Sequence, residues 1–63
     1  MQFTMKLSMD NAAFEESASA ELARILREVA DKVVYMDINE DFDRSISCRD
    51  FNGNTVGKAV VSE

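Results

Sequence analysis

One amphipathic helical segment, flanked by segments of alternating polarity, restricts this chain to one layer of helix on one layer of sheet. From Ala18 onward the apolar residues recur three and four positions apart, which places them on one stripe of an α-helix: Ala18, Leu22, Ile25, Leu26, Val29, Ala30 and Val33. The opposite side of the helix is charged, and Glu28 and Lys32 stand in the favourable i,i+4 order. Such a helix cannot bury its stripe alone and must pack it against another element.

Three segments outside the helix are predicted to be strands. Residues 2–8 alternate strictly, and residues 44–51 and 55–61 alternate on either side of a turn. The element order is therefore β-α-β-β, an α+β fold with one helix packed on a three-stranded antiparallel sheet. A right-handed crossover and a hairpin favour the strand order 1-3-2. The predicted core comprises Phe3, Met5, Leu7, Leu22, Ile25, Leu26, Val29, Val33, Ile46, Cys48, Val56 and Val60.

Two local boundaries stay open at this level. Asp10, Asn11 and Ser17 could each cap the start of a helix, so residues 12–14 belong either to its first turn or to a short separate helix. In the hairpin, Asn52-Gly53 predicts a two-residue type I′ turn, and a longer loop with a left-handed Gly53 or Asn54 is the alternative.

Length and charge exclude several functional classes. The 63 residues predict one small domain spanning 1–63, which leaves little space for a deep cleft and argues against an enzyme. With 7 basic and 12 acidic residues the net charge is -5, which opposes direct contact with nucleic acid or an anionic membrane and favours a basic partner. No signal or membrane-spanning segment is recognisable, so a cytoplasmic location is expected.

No cofactor or metal is expected. The single cysteine, Cys48, has no histidine to work with and is predicted to be a buried thiol. Residues 37–43 match part of a calcium-binding loop, with Asp37, Asn39, Asp41 and Asp43 at the first, third, fifth and seventh places. Phe42 stands where the loop needs glycine, and Cys48 stands where it needs glutamate. A solvated acidic loop is therefore the better interpretation.

This acidic segment is the predicted partner-binding site. Its members are the carboxylates Asp37, Glu40, Asp41 and Asp43, together with the aromatic residues Tyr35 and Phe42. Two interpretations of the aromatic residues, and of the neighbouring Met36 and Ile38, stay open. They either close the open end of the core as a lid, or they form a contact patch ringed by carboxylates.

A resemblance adds a hypothesis about origin. Residues 49–57 read R-D-F-N-G-N-T-V-G and follow a helix that contains the run V-A-D-K. Both resemble the C-terminal half of short, largely uncharacterised bacteriophage proteins, in which such a helix and an R-D-x-N-G-N-T-V-G hairpin close the chain. The resemblance implies a phage or prophage origin, but it carries no chemistry and no functional residues.

The leading functional hypothesis combines that origin with the charge. Small acidic phage proteins, many anti-CRISPR proteins among them, occupy the nucleic-acid surface of a host protein, and here the analogy rests on size and charge alone. The chain is thus predicted to be a non-enzymatic DNA mimic that blocks a basic surface of a host defence complex such as a CRISPR effector. The alternative is a structural or assembly protein that homodimerises through a sheet edge or face. A small-molecule sponge ranks third.

Overall fold

A computed structural model describes residues 1–38 and 44–63, and it confirms the predicted α+β fold. The elements in chain order are β1 (Gln2–Leu7), a 3₁₀ turn (Ala12–Phe14), α1 (Ala18–Val33), β2 (Ser45–Arg49) and β3 (Thr55–Ser62). The strand order is β1-β3-β2, and both neighbouring pairs are antiparallel. Of the three cap candidates, Asn11 caps the 3₁₀ turn and Ser17 caps α1, so residues 12–14 form a separate short helix.

The strand register decides which residues of β3 face the helix. Ala59 lies between Met5 of β1 and Ile46 of β2. Because directly paired residues share a face of the sheet, Ala59 and Val61 lie on the helix side and are buried. The prediction that Val60 belongs to the core is therefore wrong, since it pairs with Thr4 on the opposite side and is only half-buried.

The core is smaller than predicted and lies toward β2. Its buried residues are Ala13, Phe14, Ile25, Val29, Cys48 and Ala59. Helix α1 packs more closely on β2 than on β1. Consequently two predicted core residues on the β1 side, Phe3 and Leu26, are about half exposed, at 52% and 49%. The 3₁₀ turn supplies two further core residues, Ala13 and Phe14. The expectation that Phe14 packs into the core is confirmed.

The hairpin between β2 and β3 adopts the longer of the two predicted loops. The N–H of Gly53 donates to the carbonyl of Asp50 at 3.0 Å, and the N–H of Asp50 donates to the carbonyl of Asn54 at 2.9 Å. Gly53 has φ +85°. These bonds make a three-residue loop that ends on a left-handed glycine, so the two-residue turn closed by Phe51 and Asn54 is wrong. The pairing register of β2 with β3 shifts between Cys48 and Arg49, just before this loop.

Candidate protein-interaction surfaces

The described residues include two buried carboxylates, Glu21 and Asp50, which are 6% and 3% exposed. Glu21 lies in the first turn of α1, where its carboxylate accepts the backbone N–H of Phe51 at 2.7 Å and two hydrogen bonds from Arg24. Arg24 also donates to the carbonyl of Arg49 at 2.8 Å. This group of contacts fastens α1 to the β2–β3 loop.

Asp50 organises the loop itself. One carboxylate oxygen accepts the backbone N–H groups of Asn52 and Asn54, both at 2.9 Å. The other accepts the side-chain amides of Asn11 at 2.7 Å and Asn54 at 3.3 Å. Since Asn11 also caps the 3₁₀ turn, the carboxylate of Asp50 ties that turn to the hairpin.

Both carboxylates are held in their ionised form. The hydrogen bond from Arg24 lowers the pKa of Glu21, and this effect and the Phe51 bond together outweigh the loss of solvation. For Asp50 burial acts to raise the pKa, but the bonds from Asn54, Asn11 and Asn52 lower it overall. A carboxylate that is ionised and already saturated with hydrogen bonds is poorly suited to deliver a proton, so this pair has a structural role.

The predicted site residues are only partly described. Tyr35 follows the end of α1 and is 90% exposed, so for this residue the lid interpretation is wrong. Asp37 is exposed as well, whereas Met36 and Ile38 are half-buried. The remaining members, Glu40, Asp41, Phe42 and Asp43, lie outside the described residues.

An apolar groove, which the sequence patterns did not indicate, runs between α1 and β1. It has a volume of about 490 Å³ and is lined by Met1, Gln2, Phe3, Met5, Leu26, Val29, Ala30, Val33, Ile38 and Val61. A second depression, bordered by Leu7, Met9 and Leu22, continues it toward the other end of β1. The groove exists because α1 lies closer to β2 than to β1, so the helix does not cover the apolar side chains of β1.

The sheet face away from α1, here called the open face, carries positive charge. Lys6 and Lys58 stand directly opposite each other on β1 and β3, and Ser47 pairs with Lys58 from β2. The three described strands contain no Asp or Glu. The open face is therefore a small basic area on an otherwise acidic chain.

Two negative findings apply to residues 1–38 and 44–63 alone. No helix in this part is long and apolar enough to cross a membrane, and no group of three or more His, Cys, Asp and Glu residues could hold a metal ion. Cys48 is buried, and burial raises the pKa of its thiol.

Comparisons with known proteins found no matching family model, no matching curated protein and no matching solved structure. The resemblance to short bacteriophage proteins and the phage origin that it implies therefore stay predictions.

Proposed function

We propose that this chain is a non-enzymatic protein-binding module of phage origin that blocks a basic nucleic-acid-binding surface of a host defence complex, such as a CRISPR effector. Its carboxylates would occupy the positions that phosphates take on that surface. The observation that carries the proposal is the net charge of -5 on a chain of only 63 residues.

The distribution of charge supports an acidic binding surface away from the strands. On α1, Glu28 forms ion pairs with Arg24 at 2.9 Å and with Lys32 at 3.5 Å, so these two cations are already matched by carboxylates. Asp37 lies just beyond the end of the helix and continues into the acidic segment of residues 37–43. A basic partner would meet this end of the molecule rather than the open face with Lys6 and Lys58.

The neighbouring Tyr35 strengthens this choice of surface. Its side chain is 90% exposed, and it stands two positions before Asp37 in the sequence, so it could give an acidic patch an aromatic anchor. Tyrosine is enriched among the residues that dominate binding energy at interfaces. We therefore place the partner-binding surface at Tyr35 and residues 37–43.

The test measures displacement of labelled DNA from a panel of purified CRISPR effector complexes as the chain is added. One variant neutralises the acidic segment by replacing Asp37, Asp41 and Asp43 with Asn and Glu40 with Gln. The matched control removes the same charge elsewhere, by replacing Asp10 and Asp31 with Asn and Glu15 and Glu16 with Gln.

We expect the wild type to displace DNA from at least one complex, with an effect that weakens as salt is raised. The acidic-segment variant should lose most of this activity, and the control should keep most of it. If no complex releases DNA, the proposed target is wrong. Equal loss in both variants would mean that net charge, not the acidic segment, drives binding.

A second candidate is a small structural or assembly protein that homodimerises through its sheet. One observation favours it, namely the apolar groove that borders the edge of β1 to which no described strand is paired. The DNA-displacement assay separates the candidates, because an inhibitor must displace DNA from a complex and an assembly protein need not.

A further inference from the structure

Among residues 1–38 and 44–63, β1 has one strand partner, β3, so its other edge, here called the free edge, offers regular hydrogen-bonding groups. The N–H of Ser8 donates to the carbonyl of Val56 at 2.8 Å, which continues the β1–β3 ladder. Hydrogen-bonded pairs alternate along an antiparallel ladder, so Lys6 and Thr4 also bond to β3. The backbone N–H and C=O groups of Phe3, Met5 and Leu7 consequently point away from β3, toward the free edge.

The side chains of the same three residues form an apolar row beside that edge. Phe3 and Met5 line the apolar groove, and Leu7 borders its continuation. Leu26 faces them from α1 and is 49% exposed. A strand that added to this edge would find hydrogen-bonding groups and an apolar surface in the same place.

The exposed area is consistent with a missing neighbour. Folded monomers of 7.1 kDa expose about 4,100 Å². This chain exposes 4535 Å², which is roughly 400 Å² more than that expectation. The excess is about half of the ~800 Å² that each partner buries in a stable protein interface.

We propose that a second copy of this chain occupies the edge of β1, pairing antiparallel across a two-fold axis to make one six-stranded sheet. Such an interface needs a self-complementary surface, and an apolar row on an unpaired strand satisfies this need. The edge of β2 is the less suitable one, because β2 has 5 residues and a register irregularity at Cys48 and Arg49. Ile38 also borders the groove beside this edge. The dimer does not rest on the proposed inhibitory function, because its tests measure self-association and not displacement of DNA.

The hydrogen-bonding groups at the free edge also favour one register between β1 and its copy. Centring the axis on Met5 pairs Met5 with its own copy and pairs Phe3 with Leu7 of the second copy. All three outward-pointing residues then form hydrogen-bonded pairs with one another. The same register places Thr4 opposite Lys6 of the second copy, which keeps the two Lys6 side chains apart.

Cysteine cross-linking tests this register. In a Met5→Cys variant the two introduced residues lie about 5.5 Å apart between Cα atoms, within the range that a disulfide spans. In the matched Thr4→Cys control the same distance is about 8 Å, which a disulfide cannot span. Buried Cys48 is present in both variants and serves as the internal control. We expect a covalent dimer from Met5→Cys only, and equal yields from both variants would overturn the register.

Sedimentation equilibrium tests the dimer itself. We expect the wild type to dimerise reversibly, and Leu26→Glu to weaken dimerisation at least tenfold because it places a charge in the groove. Val34→Glu is the matched control, since Val34 is an apolar residue at the C-terminal cap of α1 that is 76% exposed and does not line the groove. Circular dichroism checks that both variants stay folded. A wild type that stays monomeric up to millimolar concentration, or equal weakening by the two variants, would overturn the proposal.

Discussion

The carboxylate of Glu21 accepts the backbone N–H of Phe51 at 2.7 Å, and this bond joins the first turn of α1 to the loop between β2 and β3. The two residues are 30 positions apart in sequence. The same carboxylate holds Arg24, which reaches the carbonyl of Arg49. The helix and the hairpin are thus connected by a buried polar contact as well as by the apolar core.

Replacing Glu21 with Ala should lower the Tm by several degrees. The change leaves the N–H of Phe51 without its acceptor and removes the carboxylate that holds the guanidinium of Arg24. Glu28→Ala is the control, because Glu28 also pairs with Arg24 but lies on the exposed side of the helix. Thermal melts followed by circular dichroism make the comparison, and equal losses in both variants would contradict the role assigned to Glu21.

Stability should fall in acid because of the same carboxylates. The pKa of Glu21 is lowered from its ordinary value of 4.5, and that of Asp50 is lowered from 3.8. Their ionised forms therefore stabilise the folded state above these values, and the stabilisation is lost as the pH falls below 4.5 and through the lowered pKa of each group.

Urea titrations between pH 7 and pH 2.5 measure this dependence. Glu21→Gln and Asp50→Asn should each flatten the decline in unfolding free energy below pH 4.5, in addition to lowering stability at pH 7. Glu15→Gln, at an exposed carboxylate, is the control and should keep the wild-type decline. Identical acid profiles for all four proteins would show that these two carboxylates do not control acid stability.

Gly53→Val should destabilise the fold by about 1–2 kcal/mol, because Gly53 has φ +85° and a β-branched residue is strained there. The Tm should fall by roughly 4–8 °C per kcal/mol in a domain of this size. Asn52→Ala is the control: the three-residue loop uses only the backbone N–H of Asn52, so its side chain is dispensable. A large loss from Asn52→Ala would favour the type I′ turn over the observed loop.

Gly57→Ala should also destabilise the fold, but for a steric reason. A Cβ atom at this position would overlap the carbonyl oxygen of Lys6 and the Cα of Leu7 on the paired strand β1. Overpacking of this kind costs about 1–3 kcal/mol. Gly53→Ala provides the comparison, since nothing lies within 4 Å of a Cβ at Gly53 and only the strained φ acts there. A Gly57→Ala variant with wild-type Tm would contradict the close β1–β3 contact.

Lys58→Glu should stabilise the chain, because Lys58 stands directly opposite Lys6. The change converts a repulsive cross-strand pair into an attractive one, which contributes about 0.2–1 kcal/mol. The gain should shrink at high salt. The double variant Lys6→Glu and Lys58→Glu restores like charges and should lose the gain. If the single and double variants melt alike, the two side chains do not interact.

The exposure of Phe3 and Leu26 has one cause. The alternation in β1 and the helical period in α1 correctly identify the apolar sides of both elements, and Met5, Ile25 and Val29 follow those patterns. A period says which side of an element is apolar, but it does not say where along the sheet the helix will lie. Phe3 and Leu26 were predicted to be buried for this reason, and the position of α1 near β2 leaves them exposed.

The sequence by itself determined the fold class and favoured the observed strand order, because both depend on polarity patterns along the chain and on short connections. It limited the helix caps to Asp10, Asn11 and Ser17 without choosing among them. Tertiary structure alone decided that Glu21 and Asp50 are buried, that Ala13 joins the core and that an apolar groove lies beside β1. Each of these features depends on contacts between residues far apart in sequence. Their burial is set by how the helix and the hairpin pack together, which no local pattern of residues specifies.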